Sequence, residues 1–464
     1  MYWDLVKSFF GRVDSLPRIP LALLGCGLAR AWLWHMLDMV FTSPAFPSFS
    51  AAEGHFVFDA GEVVGFFLLA FLAYRASPYF RRPVVLAASL ALMAGSAVFT
   101  AFEPANPGIA FEAVVMFGGG FGYSFALLLW LEAFGCLTAR KVVMAWTGSY
   151  LFGFVAWAIL FNGSSEVGAV ASILVPFAMA FMLLRSFSIQ PSSELPQSMT
   201  TKPVFPLKLA IVLSAFAFAF GIGDMMTGEV FSVPDKIGMG VPDLLILLGV
   251  VFFAGWFSYR HLITAASIMI AAATMMAFFV EDNTSLSVLL FNASAETYLV
   301  LSYTIGCNIS HRLGVSSAYI CGLLAGFYKV FLQVGKVLSA ALLTASPTVQ
   351  IHHAIVGTAI VLLTVAASIV LVQDRDIVER FNFKQLSIDP ANAAYKSLSE
   401  RYALTPKEAS VFMLLAKGDD AAEIAEKMFL APSTVRVHIS GIYKKLGIHS
   451  KRELKRYLQD IVQP

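Results

Sequence analysis

The chain has 464 residues, of which 58% are hydrophobic and only 13% charged, with a formal net charge of +2. That balance excludes an ordinary soluble protein and points to a lipid bilayer. The small net charge hides an uneven distribution, because the segment from Leu404 onward carries a disproportionate share of the Lys and Arg.

The opening stretch, "MYWDLVKSFFGRVDSLPRIP", lacks the order of a cleavable signal peptide and leads into a retained first span. Apolar stretches of spanning length recur near Leu16–Phe41, Phe56–Tyr74, Pro83–Phe102, Ile109–Phe134, Val142–Phe161 and Gly168–Phe187. After the polar break "SIQPSSELPQSMTTKPVFP" a second set follows near Leu207–Phe231, Pro242–Phe257, Leu262–Phe279, Ser285–Ile305, Val315–Leu343 and Ile351–Val372. The reading is an all-α polytopic bundle of about twelve transmembrane helices, six plus six. Its halves are 1–187 and 207–373, joined by a central cytoplasmic loop, 188–206. Lys and Arg concentrate in alternate loops: Arg75, Arg81 and Arg82 after the second span, Arg140 and Lys141 after the fourth, Arg185 and Lys202 around the break. Both termini are therefore predicted to be cytoplasmic, in a bacterial cell membrane.

This layout resembles the major facilitator superfamily over roughly the first 375 residues, in architecture and not by motif. The loop after the second span, "YRASPYFRRP", keeps basic residues but lacks the Gly and Asp of that superfamily's signature. The departure weighs against active transport while leaving the fold in place.

Residues 374–403 read as a charged linker, with a short helix expected after Pro390. From 404 to 464 the texture changes again. Thr405 and Glu408 have the spacing of a capping box with Pro406 in the first turn, so a helix starts there with Val411, Leu414 and Leu415 inward. A short helix through Glu423–Met428, a turn at "FLAP" and a helix beginning near Ser433 complete a helix-turn-helix. In the last helix Val435, Ile439, Ile442 and Leu446 recur at intervals of four, three and four, placing them on one inward face. Arg436, Val437, Ser440 and Lys444 then face outward, a set suited to base edges and phosphates.

The matching positions run from Leu404, Thr405 and Glu408 through Ile424 and Ala425 to Thr434, Val435, His438, Ile442, Lys445, Leu446 and Gly447. At this spacing the segment resembles the DNA-binding domain of LuxR-type regulators. The resemblance implies double-stranded DNA as partner, with Arg436, Val437 and Ser440 approaching bases and Thr434, His438 and Lys444 the backbone. Ser433 and Lys445 complete the candidate interface. Ala431 stands where the family usually has Ser and cannot cap, which leaves Ser433 as a substitute cap.

Charges at membrane depth cost roughly 2.5–3.5 kcal/mol each on insertion scales, so they pair or line a cavity. Arg30, Glu296 and Lys329 fall near the middle of their spans; His35, Asp38, Glu62, Glu112 and Asp224 lie elsewhere in spans, and Trp130 offers a flat surface. These nine are the candidate ligand-binding residues, with simple structural pairing as the alternative for each. Gly118–Gly120 and Gly122 lack a following Lys-Ser/Thr and read as helix packing, not a phosphate loop. Cys26, Cys136, Cys307 and Cys321 show no CxxC spacing, and neither a metal, a cofactor nor an enzymatic activity is expected. The sequence thus points to a membrane-bound one-component transcription regulator. Its transporter-like domain senses a small ligand and its tail binds DNA, with pairing into a homodimer expected on half-sites. A transporter with a regulatory tail is the alternative.

Overall fold

The computed structural model describes residues 19–42, 48–102, 108–161, 164–190, 195–196, 205–227, 233–253, 259–279, 284–313, 315–345, 349–373, 398–399, 402–416, 418–428, 431–450 and 453–454. The chain divides into two compact units, Met1–Phe383 and Lys384–Pro464. Every regular element among the described residues is helical.

Among the described residues the first unit contains twelve long helices: α1 (Cys26–Thr42), α2 (Ala51–Ala76), α3 (Pro83–Phe102), α4 (Ile109–Phe134), α5 (Ala139–Phe161), α6 (Ser165–Ile189), α7 (Leu207–Thr227), α8 (Val233–Phe252), α9 (Tyr259–Phe279), α10 (Thr284–Leu313), α11 (Ser317–Ala345) and α12 (Val349–Gln373). Eight of them are long and apolar enough to cross a bilayer, and shorter apolar runs occupy α7, α8 and α12. Large apolar side chains point outward along their length, as with Phe71, Phe181 and Ile159, each about 70% exposed. In water that surface would be untenable; against lipid tails it needs no partner.

Why these helices stop and start is local chemistry. Ser50 caps α2 by accepting from the Glu53 backbone N–H, while the Glu53 carboxylate accepts from the Ser50 N–H. Helix α8 begins at Val233, nine residues before the predicted start at Pro242, and runs through that proline. The proline limits backbone bonding only locally, and neighbouring helices hold the segment.

The packing repeats. In the first half α1 lies on α5, α2 on α4, and α3 on both α4 and α6; in the second α7 lies on α11, α8 on α10, and α9 on both α10 and α12. Adding six to each number converts one set into the other. The halves join along α2 with α11 and α5 with α8, contacts that the same operation exchanges. The repeat reaches single residues: a Cβ on Gly27 of α1 would collide with the Ser149 carbonyl oxygen of α5, and one on Gly221 of α7 with that of Leu332 on α11. Bare backbone permits both approaches. The glycines of α4 serve packing too, Gly120 lying against the Phe58 carbonyl and Gly122 against α3.

The second unit holds α13 (Pro406–Ala416), α14 (Ala421–Met428) and α15 (Pro432–Leu446). Most of the linker and the helix expected after Pro390 lie outside the described residues, as do Phe429 and Leu430 of the predicted turn.

Candidate ligand cavity and nucleic-acid interface

Along the seam between the halves, helix periodicity aligns two polar stripes. On α2, His55, Asp59 and Glu62 follow at intervals of four and three; on α11, Lys329, Gln333 and Lys336 repeat the same intervals. The stripes face each other. Lys329 Nζ lies 2.8 Å from both Asp59 Oδ1 and Glu62 Oε2. Gln333 Nε2 donates to Asp59 Oδ2, His55 Nε2 sits 3.9 Å from that oxygen, and Lys336 Nζ is 3.4 Å from His55 Nδ1. A second cross-half link joins Arg30 of α1 to Glu296 of α10 at 3.5 Å, and Trp146 Nε1 of α5 donates to the other Glu296 oxygen at 2.9 Å. The Arg30 guanidinium also rests 4.3 Å from the centroid of the Tyr150 ring.

Between these links lies a cavity of about 120 Å³, bordered by Arg30, Asp59, Glu62 and Lys329 and walled by Trp34, Phe66, Tyr123, Trp146, Tyr303 and Tyr328. It extends from mid-depth toward the end where α1 joins α2 and α7 joins α8. At the opposite end the halves touch. Arg140 of α5 donates to the Val250 carbonyl at 3.2 Å, one of the last acceptors of α8, and the Cys307 thiol of α10 meets the Leu131 carbonyl of α4 at 3.6 Å. On that side the loop "YRASPYFRRP" is pinned by Glu132 of α4, which accepts from the Tyr79 and Phe80 N–H groups at 2.9 and 2.7 Å. A buried carboxylate from another helix thus anchors a loop that lacks the superfamily's Gly and Asp.

Of the nine residues named from sequence, Arg30, Glu62 and Lys329 border this cavity and Glu296 holds Arg30 in place. Four others stand apart from its lining. His35 is stacked on Phe161 at 4.2 Å. Asp38 is half-buried further along α1. Glu112 accepts from the Ser48 N–H and hydroxyl, tying down a connection. Trp130 is fully buried, packing near Phe134. The Asp224 side chain lies outside the described residues. Sequence reading missed Asp59, His55 and Gln333 as site members, although the four-three spacing on both helices is the signal that finds them.

In the tail unit, Val411, Phe412, Leu415, Ile424, Val435, Ile442 and Leu446 form the core, with Ile439 and Leu414 partly buried against it. The capping box at the start of α13 is present: Thr405 N donates to Glu408 Oε2 at 2.8 Å and Glu408 N to Thr405 Oγ1 at 3.3 Å. Asp420 and Glu423 build the equivalent arrangement for α14. Helix α15 begins one residue earlier than expected. Ala431 occupies its cap position without a side-chain bond and Pro432 its first turn, so Ser433 is inside the helix and caps nothing. Gly447 closes it at φ +70°, where a left-handed residue is required.

Ser433, Thr434, Arg436, Val437, Ser440 and Lys444 are exposed and His438 is half-buried. Val437, at 70% exposure, is an apolar side chain that the domain's own core leaves unused. Lys445 has a partner within the domain: its Nζ lies 2.6 Å from Glu408 Oε2 and donates to the Ala403 carbonyl at 3.1 Å. Donation from Lys445, then from the Thr405 N–H, holds the Glu408 carboxyl well below its ordinary range, at about 2.

Residues 402–458 match the family described as bacterial regulatory proteins, luxR family. Among curated proteins, the oxygen regulatory protein NreC of Staphylococcus aureus is 44% identical over 54 residues, which is 12% of this chain and 25% of that protein. An HTH-type transcriptional regulator of Mycobacterium tuberculosis is 38% identical over 52 residues, 11% of this chain and 6% of its own length. The chain therefore spans a quarter or less of the length of these relatives. Among solved structures, the major facilitator proton:xylose symporter XylE bound to 6-bromo-6-deoxy-D-glucose superposes with a TM-score of 0.54 at 14% identity, covering 76% of this chain and 94% of that one. The C-terminal residues 402–458 are a LuxR-type helix-turn-helix domain, and the helices ahead of it form a bundle of major facilitator architecture.

Proposed function

We propose that the chain is a membrane-bound one-component transcription regulator, in which a small ligand in the cavity of the bundle controls DNA binding by the tail. The working division is a sensor over residues 1–373, a linker over 374–403 and an output domain over 404–464. The observation that carries the proposal is the union, in one chain, of a DNA-binding domain and a two-halved bundle whose charged cavity lies on the seam between the halves. A ligand that prefers one arrangement of the halves shifts their equilibrium, and the shift is the signal. Arg436, Val437 and Ser440 read base edges while Thr434, His438 and Lys444 meet phosphates, with two copies docking on paired half-sites. The basic loops support a cytoplasmic placement of both termini in the bacterial membrane, where the tail reaches the chromosome.

The test is chromosomal occupancy, mapped by crosslinking and sequencing in a host lacking the protein. Full-length protein is compared with an Arg436→Ala/Val437→Ala variant. Discrete peaks that vanish in the variant support the regulator. Absence of peaks together with solute uptake by reconstituted protein would instead favour a transporter with a regulatory tail.

A further inference from the structure

We propose that the cavity is a site for a small organic ammonium ion carrying a flat apolar body, and that Glu62 is its anchor. The inference rests on the reading of the cavity as a ligand site and names the ligand's chemistry. Each cation bordering the cavity already has a partner. Lys329 holds Asp59 and Glu62, Arg30 holds Glu296 beneath the Tyr150 ring, and Lys336 lies against His55. What stays open is an acceptor. Glu62 borders the cavity and is fully buried; its Oε2 faces Lys329, while its Oε1 has no hydrogen-bond partner among the described residues. A buried carboxylate oxygen without a donor is costly, and an N–H of an ammonium group supplies the missing bond.

The walls specify the rest. Trp34, Tyr123, Trp146 and Tyr303 present ring surfaces, which attract a cation and accept an apolar body. A hard metal ion would want six or more oxygens, and this lining offers rings instead. An anion would find its cations already engaged. The volume of about 120 Å³ is of the same order as the ~150 Å³ cavity that accommodates benzene, which keeps the ligand to about one small ring and its amine.

The experiment compares three probes of one shape and different charge on the full-length protein in detergent: benzylamine, benzyl alcohol and phenylacetate, with Trp fluorescence as the readout. Benzylamine is expected to bind at least about tenfold more tightly than either of the others, and Glu62→Gln to erase that preference. Should Glu62→Gln fail to fold, the ranking on the unaltered protein still decides. Equal affinities, tighter binding of phenylacetate or no saturable binding of benzylamine would overturn the proposal. Repeating the chromosomal occupancy map with benzylamine separates the two readings. Binding without any change in occupancy would leave the ammonium site standing and remove the regulatory role.

Discussion

The two units handle charge in opposite ways. In the bundle, Asp59, Glu62, Glu296, Arg30 and Lys329 are turned inward and paired while Phe71 and Phe181 face out. In the tail, Phe412 and Val435 are inside while Arg436, Ser440 and Lys444 face solvent. Lipid and water impose these inversions, and each fixes what a substitution costs. Inside the bundle a charge cannot lose its partner without leaving another stranded. On the tail surface a charge can be removed with little effect on the fold, so its loss is felt in binding.

Substitutions can break or sharpen this contrast. The largest effect is expected for Lys329→Met, which strips Glu62 of its ion-pair partner and leaves Asp59 with Gln333 and the more distant His55. Breaking a buried pair from one side costs about 3–5 kcal/mol, read as a lowered thermal midpoint or failure to purify as a monodisperse species. In the tail, Phe412→Ala should cost a similar ~3–5 kcal/mol through loss of a fully buried ring, measured by denaturant unfolding. Arg436→Ala should leave unfolding unchanged and weaken a preferred DNA site by about 1–3 kcal/mol. Lys444→Ala should instead weaken all sequences alike and lower the salt slope by about one. The smallest effect concerns Glu408. Its carboxyl titrates at about 2 in the folded tail, below its ordinary 4.5, so its contribution is complete above pH 4.5 and disappears as the pH falls toward 2. Glu408→Gln should flatten that acid-side loss in a circular dichroism titration, by no more than the ~1 kcal/mol of an exposed pair.

These regions also differ in how much their residues disclose before folding. In the tail nearly everything is local. The Thr405–Glu408 cap and the Val435–Leu446 face lie within single helices, so spacing alone locates them. Only the start of α15 misleads, because Pro432 begins the helix without any side-chain cap. In the bundle, hydropathy finds the helices but not their partners. Arg30 and Glu296 stand out as charges at depth, yet nothing local says that they meet from 266 positions apart. Asp59 escapes notice for a different reason: it lies near an expected helix end, where a carboxylate is unremarkable until the stripe on α11 is set opposite it. Helix α8 was predicted late because Pro242 reads as a boundary in water and is tolerated within a packed bundle.

The seam carries a consequence for synthesis. Asp59 emerges from the ribosome 270 residues before Lys329, an interval of tens of seconds at roughly 5–20 residues per second. Through that interval the first half lies in the bilayer without the Lys329 ammonium that Asp59 and Glu62 share, so their pairing is incomplete until α11 arrives. Although the packing of one half repeats the other, the first half is not a finished object, and its maturation waits on the last helices of the bundle.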